Sequence, residues 1–260
     1  MVMMRYILLF LILTSFSATN DPADIQPDGT LRRIHVPILM YHYISDLPED
    51  ADDIRVDLTV TPQTFHEHMA YLRDAGYQTI SLDQLYAALT IGAPLPSKPI
   101  VLTFDDGYVD HYTNAFPILQ EFGFTGTFFI ITQTADDNNP NHLSWSQIEE
   151  MAAAGMSMQS HTKNHPDLRE RDYDFLVYQI LGSVESLEAH INLPVRMLAY
   201  PVGRYDETTL AVTEQSPILL AVTTQSGAYH TTDGILELSR LRMSYSVGVV
   251  GLDQLLRGTR

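Results

Sequence analysis

Apolar and polar positions along the chain alternate between two periods. Short runs rich in β-branched and aromatic residues at 34–41, 78–81, 99–104, 126–131, 156–160, 195–200, 218–224 and 236–243 predict strands. Between them, apolar residues recur at helical spacing over 61–75, 82–90, 112–122, 146–154, 173–191 and 206–215, with a last stretch at 252–257. The clearest helix is 61–75: Thr61 is placed to cap it, Pro62 suits its first turn, Phe65, Met69 and Leu72 share a face, and Gly76 ends it. Strands interleaved with helices predict an α/β fold with a parallel sheet. The most economical closure is a single-domain (β/α) barrel, TIM-like but distorted or incomplete. An open doubly wound sheet is the competing topology. No Pro/Gly/Ser linker and no internal repeat interrupts residues 34–258, so 34–260 is read as one domain.

The amino terminus departs from this rhythm. Residues 1–5 carry one positive charge, 6–13 are an unbroken apolar run, and Thr14-Ser15-Phe16-Ser17-Ala18 supplies small residues. That layout predicts a secretory signal peptide over 1–17, followed by a flexible leader over 18–33 that is rich in Asp, Pro and Gly. The apolar run is shorter than the roughly 20 residues a spanning helix needs, so a cleaved signal is preferred to an uncleaved anchor. The mature chain is therefore expected to be secreted or periplasmic, with no integral membrane span.

Charge narrows the partners. The 15 Lys and Arg stand against 32 Asp and Glu, a net charge of −17. Neutralising phosphates takes clustered basic residues, so nucleic acid is not an expected partner, and anionic membrane surfaces are disfavoured for the same reason. There is no cysteine, which excludes disulfides, thiolate metal sites and a cysteine nucleophile. Any metal must then be held by histidine and carboxylate, and ten histidines are available.

The candidate chemistry collects where predicted strands stop: His42 after the first, Asp105 and Asp106 after the third, His161 and His165 after the fifth, Tyr200 and Pro201 after the sixth. Barrel enzymes build their sites from the carboxyl ends of strands. Adjacent carboxylates repel unless a cation or proton relieves one; alone, Asp-Asp-Gly reads as an acidic turn. Ser160-His161-Thr162-Lys163-Asn164-His165-Pro166 places two imidazoles four residues apart, able to converge on one ion. Two histidines and one aspartate make a three-ligand site with open positions, suited to zinc or a similar divalent metal. His66 and His68 are too close along a helix to share an ion. His35, His111, His142, His190 and His230 lack a partner motif and default to surface or satisfied-core roles. Trp145 is read as a packing residue in preference to a sugar platform.

Thr103-Phe104-Asp105-Asp106, His161-Thr162-Lys163-Asn164-His165-Pro166 and Tyr200-Pro201-Val202-Gly203 resemble, in this order, the first three motifs of the polysaccharide deacetylases, the nodulation-deacetylase-like domain of carbohydrate esterase family four. The first two match in full, and the resemblance covers roughly residues 34–250. Leu143-Ser144-Trp145-Ser146-Gln147-Ile148 is also similar to that family, and Ile38-Leu39-Met40-Tyr41-His42-Tyr43-Ile44 resembles the branch that includes poly-N-acetylglucosamine deacetylases. The resemblance implies that Asp106, His161 and His165 bind a divalent metal, zinc first, with cobalt, nickel or ferrous iron as alternatives. Asp105 would be the general base, and a backbone N–H near Tyr200, Pro201 and Val202 would steady the oxyanion. The implied activity is removal of N-acetyl groups from an extracellular N-acetylglucosamine-containing polysaccharide. O-acetyl ester hydrolysis on a xylan-type glycan, and a glycan-binding relative without turnover, are the alternatives.

Two departures from the family pattern carry their own expectations. The usual late histidine that protonates the leaving group is absent after Leu236, and His42 looks like the same strand moved to the front of the domain. His42 is thus expected to be the acid, against the reading that it only bonds a loop. The arginine that orients the base is also missing before Pro201, and Arg196 lies beyond the usual spacing. In the branch that the chain resembles a late Arg-x-Arg strand serves instead, which points to Arg240 or Arg242; alternate positions on one strand share a face, so both could point inward, with Asp105 as the available partner. Neither the glycan linkage nor the oligomeric state is set by the sequence.

Overall fold

The computed structural model describes residues 21–258. The expected signal peptide over 1–17 lies outside the described residues. Seven parallel strands close a barrel in chain order: β1 (Ile38–Tyr41), β2 (Pro99–Phe104), β3 (Thr127–Ile130), β4 (Ser157–Ser160), β5 (Met197–Ala199), β6 (Leu220–Ser226) and β7 (Leu238–Arg242). Closure runs through Leu241 opposite Leu39 on one side of β1 and Ile38 opposite Val101 on the other. The second predicted strand, 78–81, survives only as Gln78–Thr79, which pairs with the first two residues of β2 and stays outside the ring.

Strand alternation sorts the core into two layers. Ile38, Val101, Phe129, Met197, Ala199, Leu220, Val222 and Leu238 cluster together inside the barrel. The helix Leu82–Ile91 contributes Leu82, Leu85 and Leu89 to the same cluster and seals the barrel where the strands begin. The opposite parity, including Leu39, Tyr41, Phe104, Phe128, Leu198 and Tyr200, packs under the surrounding helices. Those helices are Pro62–Asp74, Phe116–Phe122, Trp145–Ala153, Tyr173–Ile191, Glu207–Glu214 and Val249–Gly258. Most carry the ends their sequence encodes: Thr61, Ser144 and Asp172 each accept an N–H of the first turn, and Asn192 ends Tyr173–Ile191 in the left-handed conformation.

The barrel is irregular in three places. Predicted strand 34–41 splits at Val36-Pro37: Arg33–His35 turns away to pair antiparallel with Tyr229–Thr231, and only the remainder joins the ring. Strands β4 and β5 share a single paired position, Ser160 opposite Leu198. The buried Gln159 replaces the missing ladder there, its Oε1 accepting the N–H groups of Arg196 (3.0 Å) and Met197 (2.9 Å). Predicted helix 112–122 begins as a π-type turn over His111–Ala115, because Pro117 has no N–H to offer the preceding turn.

Within the stretch expected as a leader, Asp21 makes a two-pronged ion pair with Arg196, and the Asp28 N–H donates to the Thr90 carbonyl (3.1 Å). No helix among the described residues is long and apolar enough to cross a membrane.

Candidate metal and catalytic site

The rim at the carboxyl ends of the strands gathers most of the residues that the sequence pointed to. Positions 42, 105, 161 and 240 continue the inward parity of β1, β2, β4 and β7, so all four side chains arrive inside the rim. Asp106 has the opposite parity. Its backbone adopts φ +73°, leaving the extended conformation directly after Asp105, so both neighbouring carboxylates serve the same rim. Gly107 continues at φ +70°, where a side chain would be strained.

Asp106 Oδ1 lies 3.3 Å from His161 Nε2 and 3.4 Å from His165 Nε2, and one ligand atom from each of the three lies within 4.8 Å of the others. His161 Nδ1–H donates to the carbonyl of Ala199 at 2.7 Å, which fixes the tautomer and leaves the Nε2 lone pair directed at Asp106. His165 reaches the group from a left-handed backbone (φ +58°), its N–H donating to Thr162 Oγ1. Asp106 Oδ1 is buried and has no hydrogen-bond partner. A buried carboxylate oxygen without a donor is costly unless a cation takes that place. The donor set of one carboxylate and two imidazoles fits a divalent metal.

Asp105 is in a different situation. Arg240 grips it in parallel, Nη1 to Oδ1 at 2.7 Å and Nη2 to Oδ2 at 2.6 Å, and both groups are buried. Arg240 is itself held by Thr103 Oγ1 (3.0 Å) and the Thr223 carbonyl (2.8 Å). Burial would raise the Asp105 carboxyl, but the charge and hydrogen bonds of Arg240 outweigh it, helped by His161 and His42, and bring it down to about 2. Asp106 is held well below the usual carboxylate range, with His161 overcoming the burial. His42 Nε2 sits 3.8 Å from Asp105 Oδ2; burial lowers its basicity and the two aspartates oppose that.

Two expectations change. Arg242 does not join Arg240. Where the strand ends, its side chain turns outward and Nη1 reaches Asp57 at 3.3 Å, on a short helix Asp53–Leu58 that the sequence pattern did not reveal. Tyr200 has outward parity, is fully buried against Tyr205 (ring centroids 4.5 Å apart), and does not present its side chain to the rim. Pro201 and Val202 follow in a single 3-10 turn, with Val202 left-handed (φ +57°) and half exposed. Gly203 next to it is indispensable as glycine: a Cβ there would fall 2.2 Å from Thr224 Oγ1.

The sequence offered Tyr108 only as a residue that could line a groove, and Tyr43 was missed. Their rings stack 3.7 Å apart beside the rim, and the Arg55 guanidinium covers the other face of Tyr43 at 3.2 Å. Burial and the charge of Asp106 push the Tyr108 phenol far up. Its place directly after Asp-Asp-Gly was the available signal. Trp145 packs as expected, stacked on His190 at 3.8 Å, its N–H donated to Asp136.

The chain is similar to known proteins in sequence and in fold. A family model described as Polysaccharide deacetylase matches residues 92–220. YxkH of Bacillus subtilis, which carries the polysaccharide deacetylase name, is 34% identical over 209 residues, 80% of this chain and 71% of that protein. The poly-beta-1,6-N-acetyl-D-glucosamine N-deacetylase of Escherichia coli K12 is 33% identical over 165 residues; the match takes in 58% of this chain but only 24% of that longer protein. Among solved structures, the Streptococcus pyogenes deacetylase PplD in complex with acetate superposes with a TM-score of 0.80 at 32% identity, covering 86% of this chain and 99% of that one.

Proposed function

Because the chain belongs to the polysaccharide deacetylase family, we propose that it is a metal-dependent N-deacetylase of an extracellular N-acetylglucosamine-containing polysaccharide. The observation that carries this reading is the division between the two neighbouring carboxylates. Asp106 faces two imidazoles with an unpartnered oxygen, whereas Asp105 is locked by Arg240 and stays clear of them.

Asp106, His161 and His165 would hold a divalent cation, zinc first by their donor chemistry. When bound, the cation supplies Lewis acidity that activates water and polarises the acetyl carbonyl. Asp105 takes a proton from the attacking water; Arg240 keeps its carboxylate ionised and aimed at the rim. His42, on the other side of Asp105, gives a proton to the departing amine nitrogen. The turn at Pro201 and Val202 follows directly on β5, whose Ala199 carbonyl orients His161, and it offers a backbone N–H to the developing oxyanion.

N-acetylglucosamine polymers are supported as substrate by the named activity of the Escherichia coli relative. Export, to the periplasm or beyond the cell, is supported by the charged start and apolar run of residues 1–13. The test is acetate release from chitin oligomers, β-1,6-linked poly-N-acetylglucosamine, peptidoglycan and acetylxylan, with and without zinc. Release from an N-acetylated polymer that a chelator stops supports the proposal; release from acetylxylan alone contradicts it.

A further inference from the structure

We infer that His111 is a positioning residue for His42, which it holds in place through the His42 main chain; this rests on the reading of His42 as the acid. Ladder bonding along β1 ends with Tyr41. The Asp105 N–H donates to the Tyr41 carbonyl (2.9 Å) and the Met243 N–H to the Met40 carbonyl (3.0 Å). Beyond that point no barrel strand pairs with the chain: Tyr43–Ile44 forms only a two-residue ladder with Thr59–Val60, and the carbonyl of His42 itself is bound by a side chain. The His42 carbonyl accepts His111 Nε2–H at 2.5 Å. Two residues later the Ile44 N–H donates to Asp110 Oδ1 (3.2 Å), and the Ile44 carbonyl accepts Asn114 Nδ2–H (2.7 Å). Asp110, His111 and Asn114 belong to one π-type turn and its cap, so a single element grips both ends of His42-Tyr43-Ile44.

Packing does not explain an imidazole at 111. The ring is fully buried between Phe104 and Phe128, with centroids 5.6 Å away in each case, surroundings that a phenylalanine would suit. Its Nδ1 has no hydrogen-bond partner, a cost that phenylalanine would avoid. What the histidine alone supplies is the N–H to His42. An acid must lie within about 2.6–3.2 Å of the atom it protonates, and a displacement near 1 Å can cost on the order of a hundredfold in rate. His42 Nε2 is 3.8 Å from Asp105 Oδ2 and is carried by the main chain that this turn secures.

The experiment compares two substrates on the zinc-loaded full chain. An N-acetylglucosamine oligomer releases an amine that needs a proton; 4-nitrophenyl acetate releases a phenolate that does not. His42→Ala and His111→Phe are both expected to lower the amide-to-ester ratio of kcat by at least about tenfold. KM for the oligomer should stay within about twofold and bound zinc should be retained, with part of the loss recovered in His111→Gln. An equal fall on both substrates, or an unchanged ratio in a folded, zinc-loaded His111→Phe, overturns the inference. If that variant does not fold, Asn114→Ala must lower the same ratio, and an unchanged value there overturns it as well. An unchanged ratio in His42→Ala defeats the acid reading and this inference together; a fall there without one in His111→Phe defeats only the inference.

Discussion

Arg240 and Asp105 are 135 residues apart in sequence and meet through two parallel hydrogen bonds inside the barrel rim. Removing one member of a buried pair leaves the other charge uncompensated, which costs about 3–5 kcal/mol. Arg240→Ala should therefore lower stability by that order in chemical denaturation and, where it folds, reduce acetate release by more than an order of magnitude. Arg240→Lys keeps the charge without the fork and should fall between. Arg242→Ala, which breaks only the partly exposed contact with Asp57, should change stability by less than about 1 kcal/mol. Equal losses in both alanine variants would show that the two arginines are not differentiated as the geometry has them.

The neighbouring aspartates should separate experimentally. Asp105→Asn is expected to abolish most turnover, on the order of a hundredfold or more, with zinc stoichiometry unchanged. Asp106→Asn should lower zinc affinity itself, read by calorimetry on the apo protein. If both variants lose zinc alike, the division of labour is wrong.

Chelation offers a readout free of substrate. An ion bound only by the folded chain stabilises it by about 2.7 kcal/mol at a hundred times Kd. Thermal unfolding should thus shift upward with added zinc in the wild type and remain fixed in His161→Ala. A wild-type midpoint indifferent to zinc would remove the metal site.

Acid sensitivity follows from two histidines remote from the metal site. Burial pulls His68 down to about 4; its Nε2–H donates to Val247 and its Nδ1 accepts from Tyr41. Burial does the same to His230, bonded to the Val36 carbonyl. Both are neutral when folded, whereas the unfolded chain protonates them near 6.5. Their contribution is intact above pH ~6.5 and declines as pH falls toward 4, by about 1.4 kcal/mol per unit for each. The unfolding free energy of His230→Gln should accordingly slope less steeply between pH 6.5 and 4.5 than that of the wild type; parallel slopes would contradict the assignment.

Local chemistry made much of the site legible in the sequence. Asp-Asp at a strand end and His-x-x-x-His in a turn each imply a partner, the late arginine came from the family resemblance, and Asp105, Asp106, His161, His165 and Arg240 do meet at one rim. Parity also contained a warning about Tyr200, since it shares a face with Leu198 and not with Ala199. Arg242 shares inward parity with Arg240, but alternation constrains a side chain only while the strand continues, and here it stops. Pairing is nonlocal and was harder to read. The apolar text of 34–41 is continuous, and only the competing partner Tyr229–Thr231 reveals that it serves two sheets. His111 resembled any buried histidine until the end of the β1 ladder showed which carbonyl it serves.

Ring closure between the first strand and the last also sets when Asp105 can meet Arg240. His42 comes from the entry to the barrel and Arg240 from its final strand, so Asp105 lacks its buried counter-ion until the chain beyond residue 238 has docked. Pairings this distant in sequence are intrinsically slow to form. A chain cut before β7 would carry every motif up to Tyr200-Pro201 and still lack the guanidinium that holds Asp105, so on the proposed mechanism its acetate release should fall as in Arg240→Ala.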